Sequence, residues 1–274
     1  TNFKEDWEDS DATMAGSAIH AGIQDFMINK DRQLALEAMA RHHSIDLVST
    51  SKAANYSLEA CTWTMIQFFE KSDLSTYELA TFIKDGKEIP AVEIAFLVII
   101  EFPTLVFHLR GFIDLVVKSP FSTRFLTVDI KTTTPNALFT FEQKYKWDWQ
   151  LTSYGIPLNA LLGNTGNFDT AIFGVFLSDR DPEFKMPPYE RKQSDIEAYQ
   201  FYLLDKCAQI ERYYLADHFP RHPQACVSYN KTCHFHNDCS NTKLQDMQMA
   251  RNPSMKPGKE PRAFDPVFTV KLEN

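Results

Sequence analysis

The sequence has no hydrophobic run long enough to cross a membrane. Its longest apolar stretches, such as Ala95 to Ile100, are much shorter than the ~20 residues of a transmembrane helix. The amino terminus lacks the basic segment, apolar stretch and cleavage site of a secretory signal. We therefore expect a soluble, intracellular protein without a membrane partner. Because the first residue is Thr rather than Met, we also expect a trimmed chain or a fragment.

The chain has too few basic residues to coat nucleic acid through bulk electrostatics. It carries 28 Lys and Arg against 36 Asp and Glu, a formal net charge of −8, whereas contacts to phosphates require Lys and Arg. An enzyme acting on DNA could still concentrate positive charge at one place. Its 5 cysteines are an odd number, which argues against the disulfide framework of a secreted protein and favours a metal site or free thiols.

Three segments have apolar residues at the three- and four-residue steps of amphipathic helices. They run from Met14 to Met27, from Asn55 to Phe69 and from Ile196 to Tyr214. Cys61 and Cys207 fall on the apolar faces of the second and third segments, which predicts a core position for each thiol. Ser194 and Glu197 form a capping-box signature that predicts the start of the third helix.

Strand-forming segments lie between these helices. Three of them are rich in Val, Ile, Phe and Leu and are separated by turn-forming prolines: Glu93–Ile100, Leu105–Val117 and Arg124–Lys131. A helical segment from Trp147 to Leu162 and a further strand from Thr170 to Leu177 follow. An apolar fraction of 44% is ample for a packed core. The patterns predict an α/β fold with a mixed central sheet of four or five strands flanked by helices.

Three charged residues lie together on two of the predicted strands. Asp129 and Lys131 are two apart and therefore point to the same face, while Val128 and Ile130 are buried on the other. If the preceding strand pairs antiparallel, Asp114 stands near Asp129. Two carboxylates at that distance repel each other unless a cation lies between them.

This combination suits the hydrolysis of phosphodiesters. Carboxylate oxygens are the ligands that Mg²⁺ and Mn²⁺ prefer, and a nearby Lys can orient the attacking water and offset charge on the phosphorane. Glu93, at the start of the preceding strand, is a candidate ligand for a second ion or its water. His20, on the first helix, is a candidate nitrogen ligand.

Five motifs in this order resemble the RecB-like nucleases of the PD-(D/E)XK superfamily, which include Cas4-like proteins, nuclease domains of bacterial recombination helicases and many phage exonucleases. The motifs are Gly16-Ser-Ala-Ile-His20, Glu93, Gly111-xx-Asp114, Asp129-Ile-Lys131-Thr132 and Gln150-Leu-xx-Tyr154. A lone Asp-x-Lys would occur by chance, whereas five ordered elements are a specific signal. The resemblance implies a restriction-endonuclease-like core and a bacterial cell or a phage-infected cell as the location.

The resemblance also implies roles for individual residues. His20, Asp114, Asp129 and the backbone carbonyl of Ile130 would bind Mg²⁺ or Mn²⁺, Glu93 would support the metal site, and Lys131 would position the attacking water. Gln150 and Tyr154 lie four apart on the predicted crossover helix, where they could contact a phosphate or hold Lys131. Nearby, Trp147 and Trp149 are either packing residues or platforms for single-stranded bases.

Three late cysteines, Cys226, Cys233 and Cys239, are interleaved with histidines. Several RecB-like nucleases hold a 4Fe-4S cluster with one Cys before the first helix and three after the last, but no Cys precedes His20 here. Zn²⁺ and unliganded thiols are the alternatives. The candidate fourth ligands within the chain are Cys61, His222, His234 and His236.

The predicted organisation is a nuclease domain over residues 1–220 with a helical insertion at about 30–90, a Cys/His segment at 221–240 and a polar tail at 241–274. The predicted function is that of a metal-dependent deoxyribonuclease, an exonuclease acting on DNA that is single-stranded or has free ends. The alternative is a catalytically silent subunit that binds DNA or a protein partner in a recombination, replication or defence complex.

Overall fold

The computed structural model describes residues 11–43, 54–118, 124–162, 168–217, 227–228, 231–232 and 266–272. The helices in these ranges are α1 (Asp11–Asn29), α2 (Arg32–His42), α3 (Leu58–Lys71), α4 (Phe141–Tyr145), α5 (Trp149–Leu161) and α6 (Gln193–Leu215). The strands are β1 (Glu78–Leu79), β2 (Thr81–Lys84), β3 (Lys87–Pro90), β4 (Val92–Glu101), β5 (Val106–Lys118), β6 (Phe125–Thr133), β7 (Phe168–Phe176), β8 (Glu183–Lys185), β9 (Pro188–Tyr189), β10 (Val227–Ser228), β11 (Lys231–Thr232) and β12 (Phe268–Leu272).

The centre of the fold is a mixed sheet of 8 strands in the order β12-β4-β5-β6-β7-β8, with β1 pairing with β5 and β9 with β7. Strands β4, β5 and β6 form an antiparallel meander. The chain then crosses over through α4 and α5 and returns as β7, parallel to β6. The predicted mixed α/β fold is therefore confirmed, and the four strands predicted in detail are β4, β5, β6 and β7.

Helices cover both faces of this sheet. One core lies between the sheet and α1, α2 and α3, and it contains Val128 and Ile130 of β6. The other lies between the sheet and the helices α5 and α6, and it contains Ile172 of β7. Two buried faces explain why β7 is an almost unbroken apolar run rather than an alternating one.

Helix α2 was missed in the sequence because it is short and most of its surface is polar. Asp31 caps it, since the side-chain Oδ1 accepts hydrogen bonds from the backbone N–H groups of Gln33 at 2.8 Å and Leu34 at 3.1 Å. The segment predicted as a helical insertion, about 30–90, contains α2, α3 and the β2–β3 hairpin among its described residues. The proposed domain boundaries stay a prediction.

The predicted start of α6 was wrong. The helix begins at Gln193, and the carboxylate of Asp195 accepts a hydrogen bond of 2.8 Å from the backbone N–H of Lys192, so Ser194 and Glu197 do not form the cap. The predicted apolar face of α6 is buried only in part, because Ile210 and Tyr214 are 43% and 57% exposed. At 23 residues α6 is much longer than α5, with 13, so its second half extends past the helix it packs on.

The end of the chain differs from the predicted polar tail at 241–274. Residues 268–272 form β12, which pairs in parallel with β4 and places Val270 opposite Val98. The backbone N–H of Val267 also donates to the carbonyl of Ala95 over 2.8 Å. No helix in the described part of the chain is long and apolar enough to span a membrane.

Candidate active site

The antiparallel pairing of β5 and β6 brings Asp114 to Asp129. The register pairs Leu115 with Val128, which places the two aspartates opposite each other. The Oδ2 atom of Asp114 accepts a hydrogen bond of 2.8 Å from the backbone N–H of Ile130. Asp129 is fully buried, and its neighbours Val128 and Ile130 point into the opposite core. The sequence prediction of their relative positions is therefore confirmed.

Asp129 is held by three side chains. Its Oδ1 atom accepts hydrogen bonds from Nε2 of Gln150 at 2.8 Å and from the phenol of Tyr154 at 2.9 Å. Its Oδ2 atom lies 2.8 Å from Nζ of Lys131. The four-residue spacing on α5 puts the amide and the phenol on one face, and the amide also donates to the phenol oxygen over 2.8 Å.

Lys131 lies between the carboxylate and the amide. Its ammonium donates to Oε1 of Gln150 over 3.2 Å while it contacts Asp129. Burial lowers the pKa of Lys131, but the Asp129 carboxylate opposes this and the net pKa is raised. The ammonium is therefore charged at neutral pH and has a fixed position at the edge of the site.

Helix α1 presents His20 to the same place. The Nδ1 atom of His20 is 3.9 Å from Oδ2 of Asp114. Burial and the charge of Lys131 lower the imidazole pKa to about 4, although a hydrogen bond with the backbone of Ile130 opposes this shift. The ring is neutral at pH 7, which is the form that binds a metal ion.

Glu93 lies at the same end of the sheet in a strained backbone conformation. Its φ of 48° is in the left-handed region, which is uncommon for residues other than glycine. Its Oε1 atom accepts a hydrogen bond of 2.5 Å from the side-chain amide of Gln24 on α1. Its charge also contributes to the raised pKa of Asp114, so Glu93 is close enough to repel the Asp114 carboxylate.

Burial dominates the electrostatics of the carboxylates. It raises the pKa of Asp114 to about 7, and the charges of Asp129 and Glu93 add to the rise. It also raises the pKa of Asp129, against the opposing charge of Lys131. The pKa of Tyr154 is raised by burial and by Asp129, so the phenol keeps its proton and remains a donor.

These residues fit a divalent cation. The buried Oδ2 atom of Asp129 forms an ion pair with the Lys131 ammonium. Apart from this ion pair, it has no hydrogen-bond partner among the described residues. Two adjacent carboxylates, a neutral imidazole and a backbone carbonyl form a donor set suited to Mg²⁺ or Mn²⁺. Within the described ranges, no three His, Cys, Asp or Glu side chains are already close enough to form a metal site.

Sequence reasoning missed three residues that surround the site. Gln24 holds Glu93. Asp148 caps α5 through a 2.7 Å hydrogen bond to the backbone N–H of Gln150, and its charge raises the pKa of Asp129. Tyr145 is near enough to Lys131 to affect the lysine pKa. Only Asp148 had a recognisable signal, since Asp is a preferred residue immediately before a helix.

Cys61, one of the candidate fourth ligands, lies on α3. It is fully buried in the hydrophobic core between the sheet and α1, α2 and α3, and burial raises the pKa of its thiol to about 12. The predicted cluster residues lie outside the described residues: Cys226, Cys233, Cys239, His222, His234 and His236. The Fe-S and Zn²⁺ hypotheses gain no support from the structure.

Comparison with known proteins assigns the chain to a family. A model of the PD-(D/E)XK nuclease superfamily matches residues 4–240. A search of curated proteins finds no match. The crystal structure of SSO0001 aligns with 68% of this chain and 71% of its own at 12% identity, but its TM-score of 0.27 is too low to support an argument. The match over most of the chain shows that the protein belongs to the PD-(D/E)XK nuclease superfamily.

Proposed function

We propose that the protein is a metal-dependent deoxyribonuclease of the RecB-like branch, an exonuclease that hydrolyses DNA which is single-stranded or has free ends. The observation that carries the proposal is the cluster of Asp114, Asp129 and Lys131, in which Asp129 pairs with Lys131 and Asp114 accepts a hydrogen bond from the backbone of Ile130. A fully buried carboxylate, a half-buried one and an ammonium at one end of the sheet are costly to hold together without a function. The superfamily match supports the hydrolysis of phosphodiester bonds.

We assign the cation to the two aspartates. Asp114, Asp129 and the backbone carbonyl of Ile130 would hold Mg²⁺ or Mn²⁺, with His20 as a nitrogen ligand and Glu93 in support. When bound, the ion polarises the phosphoryl oxygen and lowers the pKa of a water molecule. The neutral state of His20 at pH 7 supports its place among the ligands.

Lys131 would orient the attacking water and offset the negative charge that develops on the phosphate. Its side chain is suited to this because Gln150 and Asp129 fix the ammonium from two sides. Tyr154 and Gln150 would keep Asp129 in the orientation that a ligand needs, in the way that hydrogen-bonded partners orient metal ligands elsewhere.

The proposal is tested by degradation of end-labelled DNA with EDTA, Mg²⁺ or Mn²⁺. Single-stranded and duplex substrates, each linear and circular, separate exonuclease from endonuclease activity. We expect cleavage that requires the metal and disappears in Asp129→Ala and Lys131→Ala. The matched control is Lys87→Ala, which removes an exposed lysine of the β2–β3 hairpin and should cleave normally.

Two outcomes would contradict the proposal. If folded wild-type protein fails to cleave with either metal, the chain is a silent subunit that binds DNA or a partner in a recombination, replication or defence complex. If cleavage persists in Asp129→Ala, the reaction does not use this site. Circular dichroism and thermal unfolding of every variant would separate loss of chemistry from loss of fold.

A further inference from the structure

Trp147 is a large apolar side chain exposed beside the candidate active site. It is 74% exposed and directly precedes Asp148, the residue that caps α5. Gln150, three residues later, contacts both Asp129 and Lys131. Because three residues of extended chain span at most about 11 Å, the Cα atom of Trp147 lies within that distance of the Cα atom of Gln150, whose side chain contacts Lys131.

Trp149 differs from Trp147 because its ring, 46% exposed, is already stacked on another aromatic ring. It stacks on Tyr202 with ring centroids 5.2 Å apart and an interplanar angle of 8°. Its ring also lies 5.3 Å from that of Tyr199, which is buried. Of the two tryptophans considered from the sequence, only Trp147 has a ring that is largely accessible to a ligand.

The backbone around Trp147 is held in place. The guanidinium of Arg191, itself 7% exposed, donates to the carbonyl of Lys146 over 3.0 Å. On the other side, the backbone N–H of Asp148 donates to the carbonyl of Tyr145 over 3.1 Å. An exposed indole on a fixed backbone can stack on a ligand with little loss of conformational entropy.

Positive charge lies next to this ring in an otherwise acidic chain. The Nζ atom of Lys146 is 5.6 Å from the centroid of the Trp147 ring, whereas Nζ of the exposed Lys144 lies 4.9 Å from the centroid of the Tyr145 ring. An ammonium group beside an exposed aromatic ring is the combination that binds single-stranded nucleic acid, in which the charge contacts a phosphate and the ring stacks on a base.

We propose that Trp147 stacks on an unpaired base of the DNA strand that enters the active site. The proposal rests on the proposed nuclease function and specifies its substrate, which is single-stranded DNA or the unpaired end of a duplex. Bases within an intact duplex are already stacked on each other, so an intact duplex cannot offer this contact. Trp147 is therefore a determinant of specificity for single strands, and Lys146 contributes to phosphate binding.

The test is equilibrium binding of metal-free protein, in EDTA, to a fluorescently labelled thymidine oligonucleotide and to a closed hairpin duplex. We expect Trp147→Ala to weaken single-strand binding about tenfold and to leave duplex binding unchanged. Trp147→Phe should retain most of the affinity. Tyr214→Ala is the matched control, because Tyr214 is another exposed aromatic residue, about 18 Å along α6 from Tyr202.

Salt dependence separates stacking from charge. Trp147→Ala should leave the slope of log affinity against log salt concentration unchanged, whereas Lys146→Ala should reduce it by about 1. The thymidine oligonucleotide should also quench tryptophan fluorescence less in Trp147→Phe than in wild-type protein, in which Trp149 is the other partly exposed indole beside the site. A change of slope in Trp147→Ala, or equal quenching with and without Trp147, overturns the proposal.

Failure of this proposal can be distinguished from failure of the nuclease proposal, because binding is measured without the metal. Unchanged single-strand affinity in Trp147→Ala, equal losses for single strand and duplex, or no single-strand binding by wild-type protein would each overturn the stacking role. Wild-type cleavage with Mg²⁺ or Mn²⁺ would still support the nuclease. Conversely, selective loss of single-strand binding in protein that never cleaves would support stacking and contradict the nuclease.

Discussion

A β-carbon added to Gly16 would stand only 2.7 Å from Oγ1 of Thr132, so α1 and the end of β6 approach each other as closely as a glycine allows. His20 follows Gly16 by four residues and lies on the same side of α1. The position of the imidazole relative to Asp114 therefore depends on this contact between helix and strand.

We expect Gly16→Ala to reduce metal-dependent cleavage about tenfold to a hundredfold, the range seen when groups around a metal site are disturbed. To clear the added methyl group, either the Thr132 hydroxyl rotates or α1 shifts away from β6, and a shift of α1 moves His20 away from Asp114. Steady-state cleavage and Mn²⁺ titration would measure the loss. The protein should still unfold cooperatively, because the helix itself tolerates alanine.

The contact predicts a specific rescue. In Gly16→Ala combined with Thr132→Ala, the hydroxyl is removed and the nearest remaining atom of residue 132 is Cβ, 3.9 Å from the added methyl group. Cleavage by the double variant should return close to that of Thr132→Ala alone. If the two losses simply add, the crowding explanation is wrong.

Tyr154 makes a second prediction, because its phenol donates to the buried Asp129 carboxylate. Tyr154→Phe removes a hydrogen bond to a charged group, which corresponds to about 1.5–3 kcal/mol. We expect metal affinity to fall about tenfold or more, as measured by titration calorimetry with Mn²⁺. Tyr199→Phe is the control, since Tyr199 is also buried yet packs against Trp149 rather than Asp129. Equal effects of both substitutions would show that the phenol has no special role.

The backbone of Glu93 makes a third prediction, on stability. Glycine adopts a φ of 48° without the steric cost of a β-carbon, whereas alanine does not. Both Glu93→Gly and Glu93→Ala remove the carboxylate, and both should reduce cleavage to the same extent. In urea denaturation Glu93→Gly should be more stable than Glu93→Ala by about 1 kcal/mol. The reverse order would mean that this strain is absent in solution.

The centre of the site was predictable because its geometry is local. Asp129 and Lys131 share a face of β6 because side chains two residues apart on a strand point the same way. Asp114 lies near Asp129 because it is on β5, the antiparallel neighbour of β6. The order of motifs in a known family pointed to Gln150 and Tyr154, but as contacts of a phosphate or of Lys131, and their hydrogen bonds to Asp129 were not predicted. Their contacts depend on how α5 packs across the sheet, which no local pattern encodes.

The remaining features depend on contacts between segments far apart in the sequence. Strand β12 pairs with β4 although more than 160 residues separate Phe268 from Phe96, and its five residues follow a long polar stretch. Gln24 reaches Glu93 only because α1 lies over the start of β4. The start of α6 was misplaced because Ser194 resembled a cap, while Asp195 made the hydrogen bond one position later.

The raised pKa of Asp114 makes the fourth prediction, on pH. A carboxyl group whose pKa is about 7 in the folded protein and 3.8 otherwise stabilises the fold below pH 3.8, and this contribution is lost as the pH rises through 7. His20 has the opposite sign, because its pKa of about 4 in the fold costs stability as the pH falls from 6.5 towards 4. At pH 6.5 the imidazole is about half protonated in the unfolded chain, so His20 offsets about half of the Asp114 effect between pH 6.5 and 8.

We therefore expect metal-free protein in EDTA to lose about 0.4 kcal/mol of unfolding free energy between pH 6.5 and pH 8 in urea denaturation, a loss of about 0.8 kcal/mol from Asp114 less about 0.4 kcal/mol regained from His20. Asp114→Asn should lack the Asp114 part of the pH dependence, because the amide does not titrate. Saturating Mn²⁺ should reverse the slope, since the cation binds the ionised carboxylate and competes with its proton. An identical slope in wild-type protein and Asp114→Asn would mean that Asp114 is ionised throughout this range, and that the repulsion between the two aspartates is relieved without a metal.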